Sequence, residues 1–140
     1  MTETIELTRA QCLQLLREET VGRVVFTSEA MPAAEPVDYI LDSDEIIFHV
    51  PRDSPLATAT RHTVIGFQTD DIDPTTHIGW SVLGIGETYE ITDPDRHATL
   101  ATRTPAWSPD SSARTIALPL QRLSGHKIRP AVPARRIDAL

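Results

Sequence analysis

Runs of alternating or continuous apolar residues recur along the chain and predict six short β-strands. These strands are expected at residues 21–27, 36–41, 45–50, 64–69, 78–91 and 115–120. The polar segment 42–44 has the length of a hairpin turn, so the second and third strands are expected to pair antiparallel. Residues 28–35 are expected to form a turn region around Met31-Pro32.

Three segments with helical spacing or helix-start signals predict short helices. In the first, residues 8–18, Thr8 is a suitable N-cap, and the apolar face consists of Cys12, Leu13, Leu15 and Leu16. Ser54-Pro55 and Asp93-Pro94 each place a capping side chain before a proline, and the helices are expected to run to about residues 61 and 103. Strands and helices do not alternate, which argues against a doubly wound parallel sheet. The prediction is a mostly β fold, a six-stranded antiparallel barrel with short helices and glycine bends at Gly79, Gly84 and Gly86.

The remaining segments are expected to be irregular. Residues 70–76 are rich in aspartate and predict a loop, and residues 104–112 contain two prolines. Residues 124–128 are expected to turn out of the last strand. We therefore expect one domain over residues 1–128 and a mobile C-terminal tail over residues 129–140.

Composition narrows the class of protein. The chain has 140 residues, 40% of them hydrophobic, and a net charge of −7, which argues against a nucleic-acid-binding surface. No apolar run is long enough to span a membrane, and the acidic N-terminus does not resemble a signal peptide. Cys12 is the only cysteine and is interpreted as a core residue. We expect a cytoplasmic protein.

Candidate catalytic groups are few. The five histidines lack metal-ligand spacing, so no zinc site is expected, and no acid/base pair identifies a catalytic residue. Leu83 stands where a nucleophile-elbow motif needs glycine, and Tyr89 ends a dinucleotide-binding pattern that also needs glycine. A protein with so few reactive groups often depends on a bound cofactor for its chemistry.

One segment suggests an anion site. A buried strand ending near Pro51 runs directly into the helix start at Ser54, and Arg52 lies between them. Free amide groups at a helix start, beside a guanidinium, favour phosphate binding. The simpler interpretation is a capped helix with a solvated arginine.

Five stretches, taken in order, resemble a known family. They are residues 15–16 with 21–25, 35–39, 48–54, 79–82 with Gly86, and 118–119 with 124–127. Over residues 7–128 the chain is similar to the pyridoxamine 5′-phosphate oxidase-like, FMN-binding split β-barrel proteins. It is most similar to small actinobacterial members, which overlap with the flavin/deazaflavin-dependent oxidoreductases. The resemblance implies a homodimer with two FMN sites at its interface and electron transfer between a reduced nicotinamide or deazaflavin and a small-molecule substrate.

The resemblance also implies which residues surround the cofactor. Pro36, Val37, Asp38 and Tyr39 would line the flavin ring, His49, Val50 and Pro51 its edge, Arg52 and Ser54 the phosphate, Trp80 and Ser81 the neighbouring strand, and Trp107, His126 and Lys127 a contribution from the partner subunit. Plain core packing is the alternative for Tyr39 and Trp80.

Two departures from the family pattern leave other cofactors open. Pro55 stands where many members carry a lysine or arginine, so the phosphate would need Arg52, Arg61 or a partner residue. Asp38 replaces the commoner asparagine and would repel a phosphate. The alternatives are a ligand-binding split barrel that holds F420 or haem without flavin catalysis, and a structural domain without a flavin.

Overall fold

The computed structural model describes residues 2–103 and 113–131, which form nine β-strands and three α-helices. The strands are β1 (Thr2–Glu6), β2 (Val21–Ser28), β3 (Met31–Asp42), β4 (Glu45–Pro51), β5 (Val64–Ile72), β6 (Gly79–Glu87), β7 (Tyr89–Glu90), β8 (Ala113–Pro119) and β9 (Arg122–Pro130). The helices are α1 (Arg9–Glu18), α2 (Pro55–Ala59) and α3 (Pro94–Arg103). The mostly β, antiparallel class is therefore confirmed, with three more strands than predicted.

All strand pairs in the sheet are antiparallel, in the order β1-β9-β6-β5-β2-β3-β4-β8-β7. The sheet curls until β6 packs beside β8, although these two strands are not hydrogen-bonded neighbours. A side chain at Gly86 of β6 would collide with the carbonyl group of Pro119 in β8. Gly86 therefore permits this close approach, in keeping with barrel closure.

Two hydrophobic clusters lie on opposite faces of the sheet. The inner cluster fills the barrel and receives Cys12 and Leu16 from α1 and Leu56 from α2. The outer cluster lies under α3, where Leu100 packs with Ile47 and other strand residues. Because successive strand residues point to opposite faces, Phe48 belongs to the inner cluster and its neighbour Ile47 to the outer one.

The helix starts agree with the capping signals in the sequence. The Thr8 hydroxyl accepts a 3.2 Å hydrogen bond from the Gln11 amide, and the Gln11 side chain accepts one from the Thr8 amide. Ser54 caps α2, with Pro55 at the first turn, and α3 begins at Pro94 as expected. Reciprocal capping of this kind satisfies amide groups that have no partner within the helix.

Several sequence expectations about the strands are wrong. Residues 28–35 are not a turn region, because β3 begins at Met31 and the turn is only Glu29-Ala30. Residues 124–128 do not leave the sheet but lie within β9, and β1 was not predicted. The expected loop at 70–76 begins later, since β5 extends to Ile72. The irregular segment predicted at 104–112 lies outside the described residues.

Candidate functional site

β3 changes its partner along its length, and this change opens a groove. Residues 31–38 pair with β2, whereas pairing with β4 begins only at Tyr39, opposite Phe48. Before Tyr39 the two strands separate. The space between them, which we call the split groove, has a volume of about 300 Å³. Its lining residues are Glu35, Pro36, Val37, Asp38, His49, Pro51 and Leu56.

Five residues predicted at the cofactor meet in this groove. They are Pro36, Val37 and Asp38 on β3, and His49 and Pro51 on β4. Leu56 and Glu35 also line it but were not singled out from the sequence. Leu56 follows Pro55 in α2 and packs into the inner cluster. The predicted helix start directly after β4 was the available signal for it, because such a helix packs against the end of that strand.

His49 faces away from the barrel interior, on the same side of β4 as Ile47. Burial lowers the pKa of its imidazole, and the charge on nearby His97 lowers that pKa further. An ordinary histidine titrates near pH 6.5, so the ring at the split groove is neutral at pH 7. It therefore presents both a donor and an acceptor nitrogen rather than a fixed positive charge.

Tyr39 and Val50 turn their side chains into the core instead of the groove. Tyr39 is only 2% exposed, its ring meets Phe67 edge-on at 4.7 Å, and its hydroxyl donates to the Leu16 carbonyl at 2.7 Å. Burial raises the pKa of the Tyr39 phenol. Val50 is fully buried in the same cluster. The structure therefore shows Tyr39 packed in the core, which was the alternative to a position at the flavin ring.

Several polar groups in the turn between β4 and α2 form hydrogen bonds with one another. The Ser54 hydroxyl donates to the Pro51 carbonyl at 2.8 Å and accepts from the Ala57 amide at 3.1 Å. The amides of Ala57 and Thr58 also donate to the Ser54 carbonyl. These bonds are those of a capped helix of five residues, so the amides of Ala57 and Thr58 do not point outward as an anion site would require. Arg52 is exposed and directly follows Pro51, which lines the split groove.

Trp80 and Lys127 lie on the other side of the sheet. Trp80 packs against the inner cluster, and it pairs directly with Lys127 of β9. Both belong to a second groove of about 380 Å³, which we call the tryptophan groove. It is lined by Leu7, Leu15, Ile78, Gly79, Trp80, Lys127, Ile128 and Arg129. The structure therefore does not bring these two predicted residues together with Pro36 and His49.

Ser81 and His126 have the opposite orientation to Trp80 and Lys127, since each is a direct neighbour in its strand. They point to the outer surface of the sheet. We call the central outward residues of β2, β5 and β6 the uncovered face. They are Val21, Arg23 and Val25 on β2, Gly66, Gln68 and Asp70 on β5, and Ser81, Leu83 and Ile85 on β6. In the described part of the chain, the buried helix residues belong to the inner cluster or to the cluster under α3, not to this face. Trp107 lies outside the described residues.

The uncovered face adjoins the split groove and is partly apolar. Val21 is 50% exposed, Val25 38% and Leu83 37%. Arg23 and Gln68 border a small cleft that shares Pro36 with the split groove. Such exposed apolar residues on one face are typical of interaction surfaces.

A polar cluster fixes α3 beside the outer end of the β3–β4 hairpin. Arg96 donates to Glu45 at 2.7 Å, to Asp42 at 3.2 Å and to the Tyr89 hydroxyl at 2.6 Å. These bonds raise the pKa of Arg96 against the opposing effect of burial. Because every member has a partner within the cluster, we interpret it as structural.

Residues 2–103 and 113–131 contain no group of three or more histidine, cysteine, aspartate or glutamate residues arranged to hold a metal ion. In the same part of the chain, no helix combines the length and the apolar character that crossing a membrane requires.

Comparison with known proteins gives one family match and several similar folds. Residues 8–127 match the family model described as pyridoxamine 5′-phosphate oxidase. The uncharacterized protein Rv0080 of Mycobacterium tuberculosis is 29% identical over 131 residues, which cover 90% of this chain and 86% of that protein.

Two solved structures from Mycobacterium smegmatis have the same fold. An FAD-binding protein is 20% identical with a TM-score of 0.70, covering 89% of this chain and 98% of its own. An FAD- and haem-binding protein is 16% identical with a TM-score of 0.74, covering 95% of this chain and 77% of its own.

Proposed function

Because this chain belongs to the pyridoxamine 5′-phosphate oxidase family, we propose that it is an oxidoreductase that binds FMN in the split groove. The observation that carries the proposal is the separation of β3 from β4 at Tyr39, with five family-implied residues around the opening. The FAD-binding proteins of similar fold support a flavin as the class of cofactor. A flavin would supply hydride or electron transfer, which the side chains here lack.

The split groove has the properties that a flavin ring requires. Pro36, Val37 and Pro51 give it apolar walls, and a mostly apolar slot with few polar groups is typical of cofactor sites. Residues 35–38, which precede Tyr39, form no backbone pairs with β4. Unpaired backbone groups at such an edge can bond the polar rim of a ring.

His49 would hold a neutral imidazole at the edge of the bound ring. Its lowered pKa keeps the ring uncharged at pH 7, so it can donate a hydrogen bond without adding a cation. Asp38 is the opposite case, because its carboxylate lines the same groove and repels any nearby negative charge. We therefore propose that the phosphate lies away from Asp38, towards the Arg52 end of the groove.

Arg52 is the cation that follows Pro51 at that end. Guanidinium groups recognise phosphate through two parallel hydrogen bonds. The bonds already made by Ser54 leave its hydroxyl a capping role, so the proposal relies on Arg52 rather than on the start of α2.

We also propose that the protein is a homodimer formed through the uncovered face. Its exposed valines and leucine would be buried against a second copy, and burial of apolar area favours association. This face adjoins the split groove at Pro36. A second copy would therefore border the flavin.

The competing proposal is a ligand-binding split barrel without flavin catalysis, holding F420 or haem. The observation that favours it is the pair of carboxylates, Glu35 and Asp38, in a groove that no lysine or arginine within residues 2–103 and 113–131 lines. It predicts uptake of one of those ligands in preference to FMN.

Hydrogen–deuterium exchange with and without FMN tests the location. We expect slower exchange at residues 35–38 and 49–52 when FMN is present, with residues 122–124 of β9, which line neither groove, serving as the internal control. Protection confined to residues 78–80 and 127–129 would contradict the proposal, because those residues line the tryptophan groove. Repeating the experiment with F420 and with haem identifies the competing ligand.

A further inference from the structure

The tryptophan groove lies between the start of α1 and the ends of β6 and β9. Leu7 and Leu15 come from the α1 side, Trp80 and Ile78 from the start of β6 and the residue before it, and Ile128 from β9. Its volume of about 380 Å³ is in the range of small-molecule sites.

This groove is separate from the split groove within one chain. Trp80 has the same orientation as Val82, which is in the inner cluster, so it faces the α1 side. Asp38 and His49 point to the outer surface, since their neighbours Tyr39 and Phe48 point inward. The two grooves also share no lining residue, since one is formed by β3, β4 and α2 and the other by residues around α1, β6 and β9.

The walls of the tryptophan groove are apolar and open to solvent. Trp80, Leu7 and Leu15 pack against the inner cluster, but their side chains are only partly buried. Ile78 is 55% exposed. An indole face with aliphatic neighbours offers a surface for the apolar part of a ligand.

The rim of the groove carries positive charge in a chain of net charge −7. Lys127 lies opposite Ile5 on one side and Trp80 on the other, so both direct cross-strand neighbours are apolar. Within residues 2–103 and 113–131 it makes no ion pair. Arg129, in contrast, is paired with Glu3 at 2.7 Å.

Two carboxylates on the same face of the sheet do not pair with Lys127. Glu3 of β1 is diagonal to Lys127 and is paired with Arg129. Asp71 of β5 lies opposite Trp80, on the side away from β9, which puts it two strands from Lys127. Neighbouring strands are about 4.8 Å apart, so the two groups are separated by roughly 10 Å. Lys127 thus combines an ammonium group with an apolar floor.

From this combination we propose that the tryptophan groove binds a small organic anion with an apolar body and one carboxylate. The apolar body lies on Trp80, Leu15 and Ile78. The carboxylate pairs with the Lys127 ammonium group. This site is distinct from the proposed flavin site, because the two grooves share no lining residue.

Calorimetric titration of the 140-residue protein, as purified, with octanoate tests this proposal, with octan-1-ol as the uncharged probe. We expect one octanoate per chain. Lys127→Gln should weaken octanoate binding about tenfold, as expected for one charge-assisted contact, and leave octanol binding unchanged. The matched control is Arg122→Gln, which removes an exposed cation from β9 outside the groove and should change neither.

Each alternative gives a different result. Absence of octanoate binding, or equal affinity in Lys127→Gln, overturns the proposal. If octanoate affinity falls as protein concentration rises, a second copy occupies the groove and the proposal is wrong. If FMN added to flavin-free protein competes with octanoate, the groove belongs to the flavin, which overturns this proposal and the flavin location together. FMN binding without competition supports both.

Discussion

The Tyr39 hydroxyl donates a 2.7 Å hydrogen bond to the carbonyl oxygen of Leu16, which joins the point where β3 meets β4 to the last turn of α1. Tyr39 is also the first residue of β3 that pairs with β4, and its ring packs edge-on against Phe67. This bond therefore fixes the inner end of the split groove. It explains why a residue that the family resemblance implies at the flavin is buried in the core.

Tyr39→Phe should destabilise the protein with little effect on flavin affinity. The substitution keeps the ring contact with Phe67 but leaves the Leu16 carbonyl without this donor, which costs about 1–2 kcal/mol of the free energy of unfolding. Urea denaturation measures the loss, and FMN titration measures the affinity. A variant of unchanged stability with strongly weakened FMN binding would show that Tyr39 acts at the flavin.

Asp38→Asn should raise FMN affinity. The carboxylate lines the split groove, so removing its charge removes a repulsion with the phosphate while keeping the size of the side chain. We expect a gain of about two- to fivefold, measured by titration at low ionic strength, and a smaller gain at high salt. Glu87→Gln, which removes one charge at the far end of β6, is the control. Weaker binding in Asp38→Asn would mean that the carboxylate accepts a hydrogen bond from the cofactor.

Much of the fold could be predicted from local signals, and the exceptions have physical causes. The capped helices and β4 carry strong signals in Thr8, Ser54 and the run at 46–50. β1 and the first half of β3 do not, because Thr2–Glu6 has one large apolar residue and Met31–Glu35 contains a proline and two alanines. Their strands form through pairing with distant partners.

The turn before β3 illustrates a signal that sequence rules lack. Glu29 and Ala30 both have positive φ, of 53° and 63°, in a two-residue hairpin turn. Asparagine and glycine usually occupy such turns, so neither residue suggests one. The turn region was therefore predicted too long.

The candidate site could be predicted only in part. The family resemblance implied one site for Pro36, Asp38 and His49, and the structure places the three residues together on β3 and β4. The resemblance did not indicate on which face of the sheet each side chain lies, because that depends on the register in which β3 pairs with β2 and β9 pairs with β6. That is why Trp80 and Lys127, adjacent in sequence to Ser81 and His126, belong to a different groove.

Stability should fall on acidification through His49. Its pKa is lowered in the folded chain, by burial first and His97 second, so the unfolded chain binds more protons below about pH 6.5. The free energy of unfolding should therefore decrease as the pH drops from about 6.5 and level off below the lowered pKa. His49→Gln should flatten this part of the profile in urea denaturation between pH 4.5 and 7.5. The control, His62→Asn, removes an exposed histidine in a turn; an equal change in that variant would contradict the assignment to His49.

Leu83→Glu should dissociate the proposed homodimer. A charge on the β6 strand of the uncovered face would be desolvated in the interface, whereas it remains solvated in a monomer. Light scattering after size-exclusion chromatography measures the mass. Met31→Glu, at an exposed apolar residue at the start of β3, is the control and should remain dimeric. A wild-type protein that is monomeric at all concentrations would remove the basis of this interface.

The central claim, a flavin in the split groove, is tested most directly by absorbance titration of flavin-free protein with FMN, FAD and F420. Wild-type protein should bind one FMN per chain with a shifted flavin spectrum. Arg52→Gln should weaken FMN binding by about ten- to hundredfold, as expected for a lost guanidinium–phosphate contact, whereas Arg61→Gln should not. No spectral change with FMN, or tighter binding of F420 than of FMN, would contradict the account.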